Sequence, residues 1–351
     1  DPLVRAARIR HAVDDHLGPV LPWDVRRRRT QLRPDTGTIF VDGEVEPDAL
    51  EGLPPDRVSE DYRRQVAATP WYLRAIMREE RRSTIAAWPT PAWAARVYPE
   101  LDATEGRRRL LQDLLWFCRL GPDDPPGLDG WERHLQALRD RAVRLTELEL
   151  ARVELRAPGT ELSFALSPRT RWLGGLDTGV DGREYAANMP TEENYTSPDF
   201  RGTEGTFRCS KPLSLLGRTI EELAGEFRGG SLVRLEAATD AQRDFLAAFL
   251  DADEGARRVG EVALVDAAQS RIGRTGRIYE NTLVDENAAA HFAFGFGLGV
   301  AREPGDRAGA RTVNRSTVHL DVMVGTDDLD AVGVRAVGER VPLLADGAWQ
   351  L

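Results

Sequence analysis

Val318 to Gly325 reads VHLDVMVG, and the way this stretch folds decides the rest. As a β-strand it alternates faces, so His319, Asp321 and Met323 lie on one side and Val318, Leu320, Val322 and Val324 on the other. One side is apolar and suits a core. The other presents an imidazole and a carboxylate two residues apart on a rigid element. Neutral imidazole nitrogen and carboxylate oxygen are ordinary ligands of zinc, cobalt, manganese or iron. The same pair also serves as a hydrogen-bonded His-Asp couple at a sheet end, so the strand alone leaves both readings open.

Working outward, the second half of the chain is written in short strands and turns. Thr160 to Leu166 alternates, the glycine pair Gly174-Gly175 and Asp181-Gly182 signal turns, and Ser231 to Ala237 and Gly260 to Val265 read as further strands. Asp240 to Leu250 is an amphipathic helix capped by Thr239 or Asp240, and Asn287 to Phe294 is expected to be a helix. The first half is mostly helical. Its clearest helix is expected from Trp131 to Val153, with Trp131, Leu135, Leu138, Ala142, Leu145 and Leu148 as its core stripe and His134 beside them as a surface or capping residue. Thr104 to Leu120 is another helix, and Asp61 to Arg82 is helical with a break at Pro70. Strands are expected at Thr38 to Val45 and, buried, at Ser83 to Pro91. The first forty residues show no obvious opening strand or helix, and Asp1 stands where an initiator Met is expected, so the chain is read as starting inside a domain. The expected architecture is α/β in two domains: an N-terminal α/β domain lacking its start, residues 1–157, and a C-terminal mixed, β-rich α+β domain, residues 158–351, carrying the site.

Composition narrows the function. The 351 residues are 41% hydrophobic and 30% charged, with a net charge of −10, which disfavours nucleic acid or an anionic membrane as partner. The run Arg26 to Arg29 reads as a solvated face. Two cysteines, Cys118 and Cys209, without paired spacing suit a reducing cytoplasm, and no apolar run is long enough for a membrane span. No GxSxG elbow, HExxH pair or phosphate-binding loop occurs, and Lys211, the sole lysine, follows no glycine-rich loop.

Four segments of the second half place acids and imidazoles where packing does not ask for them. They are Glu192-Glu193 within NMPTEENYTSPD (Asn188 to Asp199), Glu261 heading the apolar run after Gly260, His291 closing DENAAAH (Asp285 to His291), and the His319/Asp321 pair. As a helix, the third segment puts Asn287 and His291 on one face. Two divalent ions bridged by carboxylates need about this many ligands.

At these segments the chain resembles the M29 family of metallo-aminopeptidases, the thermophilic metalloprotease type. The resemblance runs through AAWPTPAWAARVYP (Ala86 to Pro99), the helix from Trp131, APGTELSFAL (Ala157 to Leu166), NMPTEENYTSP and EGTFRCSKPLS (Glu204 to Ser214). It continues through DADEGARRVGEVALV (Asp251 to Val265), NTLVDENAAAH (Asn281 to His291) and NRSTVHLDVMVG (Asn314 to Gly325). It implies two divalent ions (Zn, Co, Mn or Mg) held by Glu193, Glu261, His291, His319 and Asp321. Glu193 or its neighbour Glu192 would be the catalytic carboxylate that shuttles a proton. It also implies a peptide substrate cleaved at its N-terminal residue, and a cytoplasmic homodimer. One position departs: the family's tyrosine seven residues after the histidine is Leu298, which cannot donate a hydrogen bond to a developing oxyanion. The alternatives are a diverged member: a ring-cleaving dioxygenase with mononuclear Fe(II) on His291, His319 and Asp321, a pathway-specific hydrolase, or a non-catalytic binding protein.

Overall fold

The computed structural model describes residues 1–33, 35–77, 82–179 and 181–351. Five of the early helices, Pro2–His11, Pro22–Gln31, Pro55–Ala67, Pro70–Met77 and Pro91–Val97, open on proline. At that position the missing N–H is not needed and the fixed φ already suits a helix. The chain opens on a helix the sequence did not announce, Pro2–His11, capped by Asp1, whose Oδ1 accepts from the N–H groups of Leu3 and Val4. Pro70 breaks the helical stretch as expected; residues 78–81, to which that expectation extended, lie outside the described residues.

Three layers follow. Gly37–Asp42, Arg82–Ala87 and Asn188–Met189 form a small parallel sheet in that order, which gives the first half its α/β character. The Arg82–Ala87 strand was expected to be buried but is half-exposed, since its neighbour leaves Ile39 and Val41 in solvent. Eight antiparallel strands make a large sheet, running from Ser231–Glu236 at one edge through Ala224–Arg228, Thr203–Arg208, Thr160–Ala165, Leu150–Ala157, Asp330–Arg335 and Arg340–Ala345 to Ala348–Trp349. Residues 157 and 158, where the sequence suggested a division, fall at the turn of a hairpin within this sheet. Four antiparallel strands, His319–Met323, His291–Gly295, Val259–Val265 and Glu193–Thr196, make the third sheet.

The large and the four-stranded sheets share one core. Phe164, Phe207 and Phe227 from the first meet Phe292 and Phe294 from the second, with ring centroids 5.0 Å apart for Phe207 and Phe292. Edge-to-face packing of this kind adds to the burial of large apolar area. Val318, Leu320, Val322 and Val324 all join that core, so the apolar side of VHLDVMVG lies where its alternation places it.

Two helices end or vanish against expectation. The helix from Asp129 buries the expected stripe but stops at Glu147. Glu149 takes a left-handed φ of 49°, and Leu150–Ala157 leaves as a strand with Leu150, Val153 and Leu155 inward. Leu148 to Val153 fits both periods, and pairing on both sides of the strand decides for extension. The expected helix Asn287 to Phe294 is a short turn, Glu286–Ala288, followed by the strand His291–Gly295. There Phe292 and Phe294 enter the core while His291 and Ala293 face away, a period of two that the alanines disguised.

Candidate metal centre

The register of the four-stranded sheet assembles the site. Directly opposed residues of antiparallel strands share a face. Asp321 pairs with Ala293 and Ala293 with Glu261; His319 pairs with Gly295, His291 with Ala263 and Glu193 with Val265. All five side chains expected to ligate metal therefore stand on the face turned away from the phenylalanine core. Between Asp321 and Glu261 stands only the methyl of Ala293, so two carboxylates flank a gap two strand spacings wide, about 10 Å between backbones. Glu261 depends on a bulge: the register slips between Val259 and Glu261, leaving Val259 in the core and turning Glu261 to the site. Gly260 makes the bulge possible, because a Cβ there would lie 2.2 Å from the Phe296 carbonyl oxygen.

Glu193, Glu261, His291 and Asp321 are buried, and the His319 side chain is 24% exposed. Ligand atoms of Glu193, Glu261 and His291 lie within 4.8 Å of one another. His319 Nε2 is 3.3 Å from Asp321 Oδ1 and 3.6 Å from Glu261 Oε2. Each imidazole has its Nδ1 against a backbone carbonyl, His291 at 3.1 Å from Ala289 and His319 at 3.3 Å from Phe296, and the Phe296 ring lies tilted over His319 at 4.5 Å. An Nδ1–H committed to a carbonyl leaves Nε2 as the free donor for a cation, the usual way a ligating histidine is oriented.

Charge tells the same story. Burial opposes a charged imidazole, yet Glu193 beside it pushes His291 up to about 9, and Asp321 and Glu261 push His319 up to about 9. Burial raises Glu261 to about 8, helped by Glu193 and Asp321 against the opposing pull of His319. Asp321 is held low despite burial by His319. Glu193 Oε2 is buried without a hydrogen-bond donor, although His291 Nε2 approaches to 3.1 Å. A buried carboxylate oxygen with no donor, beside imidazoles oriented through Nδ1, fits a divalent cation better than a network closed on itself.

Sequence reasoning missed a sixth member. Glu286 shares a hydrogen bond with Asp321, and burial followed by the charges of Asp321, Glu193 and Glu261 raises its carboxyl well above the usual range. The signal lay in DENAAAH, where a carboxylate beside small residues was read past in favour of His291.

Glu192 occupies a different place. It adjoins Glu193 on the chain and so points the other way, where Arg119 grips it with both nitrogens at 2.6 and 2.8 Å. The Arg271 N–H donates to it at 3.2 Å, and its own N–H donates to Asn287 Oδ1 at 2.7 Å. Asn287 thus steadies the Glu192 backbone and does not share a helix face with His291. His134, expected at the surface, is tucked under the same loop with Nε2 2.7 Å from the Thr191 carbonyl. Burial, with help from Arg119, drives its pKa down to about 4.

Residues 1–349 match the sequence profile of the family described as Thermophilic metalloprotease (M29). This chain belongs to that family. Membership makes it a hydrolase that uses divalent metal. Relatives include Aminopeptidase T of Thermus aquaticus, 36% identical over 99% of this chain and 85% of that protein. Aminopeptidase AmpS of Bacillus subtilis is 30% identical over 93% and 80%. The solved structure of wild-type AmpT from Thermus thermophilus superposes with a TM-score of 0.88 at 34% identity, covering all of this chain and 85% of that one. Among the described residues no helix is long and apolar enough to cross a membrane.

Proposed function

We propose that this M29 chain is an aminopeptidase that removes the N-terminal residue of peptides, and that Glu193, Glu261, His291, His319 and Asp321 would hold two divalent ions whose chemistry is to activate the attacking water. The observation that carries the reading is the donor set: Glu193, Glu261 and Asp321 crowd one buried sheet face beside two imidazoles, with Glu286 of the adjoining turn against Asp321, more acidic groups than one divalent ion calls for. A mononuclear Fe(II) triad of His291, His319 and Asp321 would leave Glu193 buried without a counter-charge, which is costly, and Glu261 without a role.

Ions bound there supply a nucleophilic water ionised at neutral pH and polarise the scissile carbonyl. The rest is the work of the chain. The carbonyls of Ala289 and Phe296 fix the ring orientation of His291 and His319. Glu286, which shares a hydrogen bond with Asp321 and whose ionised form bound cations would favour, would then take up a proton from the attacking water and pass it to the leaving amine. Glu192, whose oxygens are both held by Arg119, serves as the anchor of the Glu193 strand and leaves the proton to Glu286. The substrate's free α-amino group would dock at this acidic face, which restricts cleavage to the first residue. The enzyme is assigned to the cytoplasm as a homodimer, a state that light scattering of the purified protein tests.

The deciding experiment is metal analysis coupled to an arylamide panel of amino acids. Two ions per chain and turnover of at least one arylamide are expected. A Glu261→Ala or His319→Ala enzyme that retained both activity and metal content would refute the assignment.

A further inference from the structure

The five ligand side chains are not equally sheltered. That of His319 is 24% exposed, against 8% or less for Glu193, Glu261, His291 and Asp321, so the cluster opens to solvent on the His319 side. The same imidazole carries the Phe296 ring, tilted by 31° with the centroids 4.5 Å apart. Phe296 is itself half-exposed. The aliphatic side chains that share the ligand face, Ala263, Val265, Ala293 and Met323, are at most 5% exposed. Of these apolar groups, only Phe296 meets solvent beside the ligands.

The ring is also held in place before any substrate arrives. The Phe296 N–H donates to the Val318 carbonyl at 2.8 Å, and its own carbonyl faces His319 Nδ1 at 3.3 Å. That carbonyl lies so close over Gly260 that a Cβ there would come within 2.2 Å of it. Three strands of the sheet thus fix the backbone from which the ring projects.

This arrangement bears on the first residue of the substrate. Its side chain branches from the carbon next to the reacting carbonyl, so with that carbonyl at the cluster the side chain lies against what borders His319. An aromatic surface partly in water favours an apolar side chain that covers it, because both lose contact with water. A charged side chain there gives up hydration without a partner in the ring, and an acidic one adds negative charge to a face already rich in carboxylates.

We infer that Phe296 is a specificity-determining residue, the apolar wall against which the first side chain of the substrate packs. Peptides that begin with a large apolar residue are then preferred to those that begin with alanine or an acidic residue. The inference rests on the aminopeptidase reading and names the side chain that selects among its substrates.

Two variants and two readouts test it. In the metal-loaded wild-type enzyme, kcat/KM for leucine arylamide is expected to exceed that for alanine arylamide by about tenfold or more, the effect of three further carbons on an apolar surface. Glutamate arylamide should be slower still. Phe296→Ala should bring the leucine-to-alanine ratio below about threefold, and Phe296→Leu, which keeps an apolar side chain, should preserve most of it. Calorimetry with the phosphonate analogues of leucine and alanine reads the same preference without turnover, and the ratio of their affinities should change in the same order. A ratio near one in the wild type, or one unchanged in Phe296→Ala, overturns the assignment. So does a fall that comes only with loss of metal, since the ring would then serve to hold His319 alone. If the wild-type protein turns over no arylamide, the aminopeptidase reading falls; Phe296 falls with it unless the protein prefers the leucine phosphonate and Phe296→Ala abolishes that preference.

Discussion

Loading the chelated protein with a divalent metal should expel protons, and the structure says how many. His291 and His319 are held near 9 and Glu261 near 8 by their neighbours. At pH 7.5 both imidazoles and most of Glu261 are then protonated. A metal takes the neutral imidazole and the carboxylate, so all three protons must leave. The sum is roughly two to three protons per chain; Glu286 adds one where its carboxyl ionises to serve as base, and a bound water at most about one more. The sign follows: affinity rises with pH up to about 9, by roughly 10² to 10³ per pH unit near neutrality. Calorimetric titration of zinc or cobalt in buffers of different ionisation enthalpy at one pH reads the proton count as a slope. His319→Ala should release about one proton fewer. A slope below one proton, or an affinity flat between pH 6.5 and 8.5, would show that these groups do not ligate the metal.

Other outcomes follow from the same charges. In the chelated protein the same three groups bind protons more tightly folded than unfolded. Stability should therefore fall as pH rises from about 4.5 to 9, Glu261 acting over the lower part of the window and the imidazoles above 6.5; melting curves should show this decline and show it reduced once metal is bound. Glu286→Gln keeps shape and loses the proton acceptor, so kcat should drop about 10²- to 10⁴-fold with metal content retained; unchanged kcat would return the proton to another residue. Arg119→Met leaves Glu192 buried without its partner and should cost about 3–5 kcal/mol in denaturant unfolding, whereas a cost under about 1 kcal/mol would deny the anchor. His134, lowered from 6.5 to about 4 by burial, should not titrate by NMR between pH 5 and 8. Its sign is the reverse of the site histidines: the stability its neutral form contributes is complete above 6.5 and declines toward pH 4, by roughly 3 kcal/mol.

What the sequence disclosed about the fold depended on whether one side of an element was apolar and the other plainly polar. VHLDVMVG, the Asp240–Leu250 helix and the stripe from Trp131 to Leu145 met that condition and lie where expected. His291–Gly295 did not, because Ala289, Ala290 and Ala293 suit either period, and only Phe292 and Phe294 hint at the true alternation. The opening helix was obscured for another reason: its stability comes from Asp1 and from Ile9 and Ala6 packing on Leu53 and Val58, a contact between segments more than forty residues apart.

The site was more legible than the fold around it, and the reason is physical. A carboxylate or imidazole set among apolar residues violates ordinary burial preference wherever the chain goes, so Glu261, His291 and Asp321 were visible even when the element carrying His291 was misread. Direction is what such violations do not encode. Glu192 and Glu193 are adjacent and chemically alike, yet strand geometry sends one to Arg119 and the other to His291. Glu286 was passed over for the complementary reason: a glutamate in a turn violates no preference. Only the register that brings Ala263 and Ala293 between the charged strands shows that the ligands border one gap, and it is the smallness of those two alanines that gives the acids and the imidazoles a common space in which to act.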